Sequence, residues 1–321
     1  VQGLFQQFEA SRIRTAAVRP RSAGASSGAK VAAAKPAAAA ASPDAPRISD
    51  ITAVITGETV VDMATAHFGP KMIFAALSAK GEEAKTTAVT LSTRAVDDNG
   101  TPGAPNVIST RALTVGGVAI AGAEKPEDGG AIAWVARENG DPEVHVTRID
   151  KNGRRTNDVQ LTTIKGDASD VTITWAEKGW IVAWVDGRDG NGEVYATKVS
   201  MDLGRVAREE RITNAPGDAS DLVALARGDA VWLAWADPRE SPRDGIADIY
   251  VSAVRMRDAK RSLDEQRLLP TAAHSRTPHF AANASTVWVS WIEEAPIGSE
   301  TPPSGNEKTA ASMAGANWPL G

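Results

Sequence analysis

The stretch Trp180-Ile-Val-Ala-Trp-Val-Asp-Gly-Arg-Asp-Gly-Asn-Gly-Glu-Val-Tyr-Ala-Thr-Lys-Val199 is the clearest copy of a unit that recurs through most of the chain. Its first run is apolar at every position, which is typical of a strand that is covered on both faces. A turn rich in Gly, Asp and Asn follows, and such residues readily adopt the positive φ angles of tight connections. The stretch therefore predicts two adjacent antiparallel strands in the middle of a layered β structure.

The same unit occurs five times at a regular period. Aligning the apolar runs gives this set of equivalent residues: Ala76, Trp134, Trp184, Trp235 and Trp291. Neighbouring positions are separated by roughly 50 to 60 residues, which is close to the length of a four-stranded propeller blade. Short apolar runs alternate with turns, and no segment sustains helical spacing for three turns. The sequence predicts an all-β fold, most simply a β-propeller of five four-stranded blades.

The predicted domains are a tether and a propeller. Residues 1–45 are rich in Ala, Pro and Ser, a composition that predicts a disordered low-complexity segment, and residues 46–321 form the propeller. The predicted blades cover 57–109, 110–163, 164–213, 214–269 and 270–321. We expect residues 46–50 to complete the fifth blade and close the ring, because closure removes exposed sheet edges. The alternative is that further blades follow Gly321 in a longer protein.

Two units carry a more specific resemblance. The pattern W-x-D-x-R-x-G-x-x-D/E-I/V-Y is seen best at Trp184 to Tyr195, and the fourth unit has Trp235-Ala-Asp-Pro-Arg239 followed by Asp248-Ile-Tyr250. It resembles the repeat of secreted bacterial β-propeller proteins of the sialidase-like superfamily. The Ser-x-Asp-x-Gly-x-Thr-Trp turn of true sialidases is absent. The resemblance implies a propeller fold and an extracytoplasmic location, either periplasmic, cell-surface or secreted, and it carries no activity.

Composition excludes several classes of function. The 321 residues include 35 basic and 40 acidic side chains, for a formal net charge of -5, so there is no extended positive field for nucleic acid. The chain has no cysteine, which excludes disulfides and thiolate metal sites. No apolar run reaches the roughly 18 residues of a membrane span. Attachment to an upstream anchor or domain through the tether remains an expectation.

Two repeated motifs place polar side chains on one face of the predicted ring. We name the strands of a blade A to D from the central channel outward, so that the D–A and B–C connections emerge on the same face. The candidate ligand residues on this rim are Asp167, Asp170, Asp186, Arg188, Asp218, Asp221, Asp237 and Arg239. Four of them are weak candidates for Ca²⁺, which prefers oxygen ligands: Asp167, Asp170, Asp218 and Asp221. The alternative is that these aspartates cap turns and pair with Arg188 and Arg239 between blades.

The sequence favours a noncatalytic propeller that binds a protein or glycan through the D–A and B–C face. Repetition of the motifs in adjacent blades supports this interpretation, since a catalytic centre needs asymmetry. One alternative is a glycoside hydrolase whose acids lie at the channel mouth, where Asp62, Asp170 and Asp221 precede or begin inner strands. Another is a structural domain of an envelope or extracellular assembly. The sequence predicts no catalytic residue and no cofactor other than the Ca²⁺ considered above.

Overall fold

The computed structural model describes residues 12–20, 54–55, 58–79, 89–97, 99–110, 117–137, 140–283, 286–294 and 317–318, with backbone pairing alone for the first and last of these ranges. Within them, twenty strands form five four-stranded sheets, and four of the sheets follow chain order as simple meanders. A 3₁₀ turn, Pro126–Asp128, is the one helical segment of these ranges. The predicted all-β propeller of five blades is confirmed.

The strands are numbered in chain order. The first blade contains β2 (Thr59–Phe68), β3 (Lys71–Ala79), β4 (Thr90–Val96) and β5 (Asn106–Ser109). The second contains β6 (Val118–Gly122), β7 (Gly130–Ala136), β8 (Glu143–Ile149) and β9 (Arg155–Gln160). The third contains β10 (Ala168–Trp175), β11 (Gly179–Asp186), β12 (Glu193–Ser200) and β13 (Glu210–Arg211). The fourth contains β14 (Ser220–Arg227), β15 (Ala230–Asp237), β16 (Asp248–Arg255) and β17 (Arg261–Arg267). The fifth contains β18 (His274–Ala282), β19 (Val287–Glu294), β1 (Arg12–Pro20) and β20 (Asn317–Trp318).

The hydrophobic core lies between the blades. The first strands contact one another in the order β2, β6, β10, β14 and β18, so they form the innermost layer. Four apolar clusters each join residues of two neighbouring blades. The second strands are covered from both sides, and every residue of β7 and β11 is buried. This two-sided burial is why the sequence reads as a continuous apolar run there.

The repeated tryptophans form hydrogen bonds within the second to fifth blades. The indole nitrogen of Trp134 donates to Thr147 Oγ1 at 3.0 Å, and the other three find a carboxylate two residues further along their own strand. Those donors are Trp184, Trp235 and Trp291, and their acceptors are Asp186, Asp237 and Glu293. A buried indole N–H normally needs such a partner. The tryptophans are therefore core residues with satisfied polar ends.

The fifth sheet contains a strand from the N-terminal part of the chain. Residues 46–50, which were expected to complete this blade, lie outside the described residues. The third position of the sheet is instead taken by β1, which pairs antiparallel with β19 from Arg12 opposite Glu293 to Val18 opposite Val287. An N-terminal strand thus joins the last blade, but it comes from within the segment predicted as a tether. The Ala, Pro and Ser content of that segment masked a short stretch containing β-branched residues, which favour extended backbone.

This pairing makes a testable prediction about the N-terminus. Deleting residues 1–20 removes a strand that is hydrogen-bonded to β19, and we expect the melting temperature to fall by at least about 5 °C. Deleting residues 1–10 removes none of the paired residues and serves as the control. Thermal unfolding followed by circular dichroism measures both. Equal melting temperatures for the two deletions would show that β1 does not stabilise the fifth blade.

Candidate functional site at the channel mouth

Three inner strands begin with the same backbone irregularity. In β10, β14 and β18 the pairing with the second strand skips two residues, which is a β-bulge. The first skipped residue has a left-handed backbone in each case: Asp170 at φ 42°, Asp221 at φ 56° and Thr277 at φ 52°. This conformation is uncommon for residues other than glycine, and it often accompanies functional sites. The bulges turn these three side chains toward the mouth of the channel between neighbouring inner strands.

The carboxylates at this mouth bond to the backbone of the next blade. Asp62 accepts the Val118 N–H at 2.8 Å, Asp170 accepts the Asp221 N–H at 3.0 Å, and Asp221 accepts the Thr277 N–H at 2.7 Å. Each bond joins two blades and holds the carboxylate in one orientation. Among the described residues, no Arg or Lys forms an ion pair with these three aspartates. The partners that the structure shows for these carboxylates are thus backbone N–H groups.

The second blade interrupts this series. Gly117 immediately precedes β6, at the position that Asp170, Asp221 and Thr277 occupy in their own blades. A Cβ atom added to Gly117 would lie 3.2 Å from the Val171 nitrogen, so the backbone of the third blade approaches closely here. A side chain is thus missing between Asp62 of the first blade and Asp170 of the third. The ring of acids at the mouth is therefore incomplete, as the glycine and the threonine at the equivalent positions of the second and fifth units indicate in the sequence.

Asp170 is the electrostatically unusual member of the cluster. Burial raises its pKa, and the negative charges of Asp221 and Asp62 raise it further. The hydrogen bond from the Asp221 N–H acts in the opposite direction by stabilising the charged form, but the pKa remains raised. A carboxyl group with this environment holds its proton to higher pH than an exposed aspartate. Such a group beside ionised carboxylates is the arrangement that acid–base catalysis on two acids requires.

The predicted Asp-x-Arg rim pairs have a structural role inside their own blades. Arg188 contacts Asp186 and Glu209, both at 2.5 Å, and its guanidinium lies 4.5 Å from the centre of the Tyr195 ring. The side chain of Asp186 is 2 % exposed and also accepts the Arg188 N–H at 3.0 Å. All four residues belong to the third blade. The expectation that these pairs join neighbouring blades is therefore wrong, because the arginine turns back within its own loop.

The fourth blade repeats this network. Arg239 contacts Asp237 at 2.6 Å and Glu265 at 2.5 Å, and it lies 4.1 Å from the centre of the Tyr250 ring. Charges that are already paired and buried in this way are not available to a ligand. Asp186, Arg188, Asp237 and Arg239 leave the list of ligand candidates.

The remaining predicted rim residues separate into two places. Asp167 is exposed and lies 3.9 Å from Arg137, while the carboxylate of Asp218 accepts the Gly192 N–H at 2.7 Å across the boundary between the third and fourth blades. Asp170 and Asp221 are at the channel mouth. In the part of the chain that the structure describes, no group of three or more His, Asp or Glu side chains is placed to hold a metal ion. The four aspartates considered for Ca²⁺ thus do not converge on one site.

The third strands carry buried acids that the sequence analysis treated only as a repeat feature. Glu193 binds Arg211 at 2.9 Å and Asp248 binds Arg267 at 2.6 Å, each arginine lying on the fourth strand of the same blade. Their counterpart Glu143 accepts a hydrogen bond from the Thr162 hydroxyl, and burial raises its pKa. In the sequence, the difference that sets Glu143 apart from Glu193 and Asp248 is Gln160, which pairs with the third strand where the other two blades have arginine.

Comparisons with known proteins support the architecture. No protein-family model matches the chain, and no curated protein matches it in sequence. A variant of the α-L-arabinofuranosidase Arb93A of Fusarium graminearum, solved with an iminosugar inhibitor, superposes with a TM-score of 0.50 at 10% identity, covering 72% of this chain and 74% of that one. The Bombyx mori GH32 β-fructofuranosidase BmSUC1 gives 0.43 at 12% identity over 72% of this chain and 53% of its own. A neuraminidase-like protein of an influenza A virus from a little yellow-shouldered bat gives 0.45 at 9% identity, covering 73% and 80%.

These findings correct the functional prediction from the sequence. The noncatalytic binding protein was the favoured interpretation, yet the structure that superposes with a TM-score of 0.50 is that of an α-L-arabinofuranosidase, which agrees better with the glycoside hydrolase alternative. The sequence left enzyme activity undecided, with a preference against it, and the similarity to an α-L-arabinofuranosidase does not support that preference. None of the described residues forms a helix long and apolar enough to cross a membrane. At these identities the likeness establishes the fold, and the fold is that of a β-propeller with five blades.

Proposed function

We propose that the chain is a glycoside hydrolase whose catalytic carboxyl groups are Asp62 and Asp170. The observation that carries this proposal is the environment of Asp170. Its carboxyl group is desolvated, has a raised pKa, lies under the influence of two other acids, and has no ion-pair partner among the described residues. The similarity of the fold to an α-L-arabinofuranosidase supports a glycoside as substrate.

Asp170 would act as the general acid. A carboxyl group that stays protonated can donate its proton to the glycosidic oxygen as the bond from that oxygen to the anomeric carbon breaks. The leaving sugar then departs as a neutral alcohol. The positive charge that develops on the sugar ring is stabilised by the negative charges of Asp62 and Asp221.

Asp62 would act from the other side of the sugar. It belongs to the first blade and Asp170 to the third, and Gly117 of the intervening blade presents no side chain between them. Asp221 is in the blade adjacent to Asp170, and it is held by the Thr277 N–H at 2.7 Å. The wider gap across Gly117 therefore favours Asp62 as the nucleophile, or as the base that activates water. Asp221 would supply charge without attacking.

The peptide bonds to these carboxylates would preorganise the pair. Asp62 accepts hydrogen bonds from the N–H groups of Met63 and Val118, both at 2.8 Å, which fix its orientation. Asp170 receives one such bond from a bulged strand. Fixed dipoles of this kind do not reorganise during the reaction, which is why they are effective in catalysis. The same bonds that join the blades would thus orient the reacting groups.

A hydrolysis assay tests this function. Small α-L-arabinofuranosides and sucrose are the first substrates, and released monosaccharide is quantified by chromatography. The double variant Asp62→Asn/Asp170→Asn, purified identically, is the blank for contaminating enzymes, because asparagine keeps the acceptor oxygens that join the blades. We expect hydrolysis by the natural sequence and none above background by the variant. Equal rates for the two proteins, or no release of sugar from a broad glycoside panel, would contradict the proposal.

A further inference from the structure

A cavity of about 330 Å³ opens in the second blade, away from the three aspartates of the channel mouth. Its lining includes these side chains: Ala136, Asp141, Glu143, His145, Gln160 and Lys165. They come from the ends of β7 and β9, the start of β8 and the two adjoining connections. The cavity therefore opens on the D–A and B–C face.

The cavity exists because the second blade has smaller residues than its neighbours at matched positions. Ala136 pairs with the first residue of the third strand, as Asp186 does in the third blade and Asp237 in the fourth. At the sequence position of Arg188 the second blade has Glu138, which lies outside the described residues. Alanine thus stands in the second blade where the other two blades have an aspartate.

Two further replacements enlarge the space. His145 pairs with Gln160 across the third and fourth strands, at the positions where the third blade has Tyr195 opposite Arg211. The imidazole of His145 stacks on Trp134 with ring centres 4.8 Å apart, so an aromatic ring still forms one wall. At these three positions the third blade has aspartate, tyrosine and arginine, whereas the second blade has alanine, histidine and glutamine.

The filled blades show which chemical group this region accommodates. In the third blade one guanidinium lies over the Tyr195 ring at 4.5 Å, and a second, that of Arg211, binds Glu193 at 2.9 Å. In the fourth blade the corresponding values are 4.1 Å over Tyr250 and 2.6 Å from Arg267 to Asp248. In both blades this region holds two planar cations. One is stacked on the tyrosine ring and pairs with the aspartate at the end of the second strand, and the other pairs with the acid at the start of the third strand.

The second blade keeps the third-strand acid, Glu143, and an aromatic ring, His145, but it has Gln160 where the third blade has the arginine that pairs with this acid. Glu143 is half-buried, and within the described parts of the chain no Lys, Arg or His lies at ion-pair distance from it. Its carboxylate accepts the Thr162 hydroxyl, a partner that Glu193 also has in Thr213. Burial of this carboxylate is unfavourable and raises the pKa of Glu143, and the Thr162 hydrogen bond and the nearby positive charge of Arg188 offset this only in part.

We propose that the second-blade pocket binds the guanidinium group of a ligand, which pairs with Glu143 as Arg211 pairs with Glu193 in the third blade. Glu143 accepts its N–H groups, and the His145 ring lies against its plane, as Tyr195 does beneath Arg188. The guanidinium could belong to a free metabolite or to an arginine residue of another polypeptide. Both present the same planar cation on an aliphatic stem.

Isothermal titration calorimetry with two probes tests this proposal. Agmatine represents a free guanidino compound, and acetyl-arginine-amide represents an arginine residue within a polypeptide. Putrescine, which has ammonium groups in place of the planar head, is the control ligand. The protein variants are Glu143→Gln, which removes the charge, and Ala136→Asp/Gln160→Arg, which restores two residues of the filled blades. Melting temperatures confirm that each variant is folded.

We expect saturable binding of at least one guanidinium probe, stronger than that of putrescine. Glu143→Gln should weaken it by at least about tenfold, because a charged hydrogen bond is lost, and the filled variant should abolish it. Stronger binding of agmatine would identify a metabolite site, and binding of the capped arginine at equal or greater strength would identify a peptide site. Absence of saturable binding, or equal affinity in folded Glu143→Gln and filled variants, would overturn the proposal.

Discussion

Substitution of Asp170 by Asn is expected to lower kcat for glycoside hydrolysis by about 10²–10⁴-fold, which is the usual contribution of a general acid. Asparagine is nearly isosteric with aspartate and can still accept the Asp221 N–H, so the bond between the third and fourth blades is retained. It cannot donate a proton to the leaving sugar. The loss should therefore appear in kcat, measured as initial rates on the first glycoside found to be cleaved.

The same variant should be more stable than the natural protein at neutral pH. Burial raises the pKa of Asp170 in the folded state above its ordinary value of 3.8 in the unfolded chain. Ionisation therefore costs the folded protein more than the unfolded one, and stability is lost as pH rises through the interval between the two pKa values. Asparagine does not ionise. The gain in melting temperature should be present above this interval and absent below it.

Asp218→Asn is the matched control for Asp170→Asn. Asp218 is exposed, lies in the connection before β14, and also accepts a backbone N–H from a neighbouring blade. Neither kcat nor the pH dependence of stability should change by more than a small amount. If Asp170→Asn and Asp218→Asn had the same activity, Asp170 would be a structural bulge residue and not the acid.

The second large effect concerns stability. Substitution of Arg188 by Met should reduce the free energy of unfolding by about 3–5 kcal/mol, because removal of one partner leaves a buried charge uncompensated. The exposed fraction of the Asp186 side chain is 2 %, and Glu209 at 19 % loses its contact with Arg188 as well. Urea unfolding followed by tryptophan fluorescence gives the change.

Two comparisons isolate the buried charge as the cause. Arg137→Met removes an exposed guanidinium 3.9 Å from Asp167 and should change stability by no more than about 0.5 kcal/mol. Adding Asp186→Ala to Arg188→Met removes the stranded carboxylate, and alanine already occupies this position in the second blade. The double variant should recover part of the loss. A cost for Arg188→Met as small as that for Arg137→Met would show that the network contributes little.

The sequence was sufficient for the architecture because the repeat is physical. Most blades have a second strand that is apolar on both faces, and four of the five have a tryptophan whose indole N–H finds an acceptor. The strand β1 was not predicted, because it pairs through backbone groups, which any extended segment can supply. Its short β-branched stretch is also surrounded by Ala, Pro and Ser. Composition averaged over 45 residues could not distinguish it.

The candidate site was only partly predictable, because it depends on features that differ from blade to blade. Asp170, Asp186 and Asp237 all follow repeated motifs, but only a bulged inner strand turns an aspartate to the channel, and a bulge is a property of strand pairing. Asp186 instead meets an arginine two residues later. Because the motifs repeat, the sequence favoured the interpretation that these charged residues have no catalytic role. The second blade differs from the others because it has no side chain at Gly117 and has Gln160 where the third and fourth blades have arginine. The consequence of these differences for the site depends on the neighbouring blades, which only the structure shows.

The most direct test of the account is the titration of the Asp170 carboxyl group. In protein labelled with ¹³C at the aspartate carboxyls, the resonance absent from Asp170→Asn is that of Asp170, and its chemical shift is followed against pH. The account predicts a pKa above the ordinary value of 3.8, which falls when Asp62→Asn or Asp221→Asn removes a neighbouring charge. An ordinary pKa that neither substitution changes would contradict a coupled acid cluster at the channel mouth, and with it the proposed catalytic site.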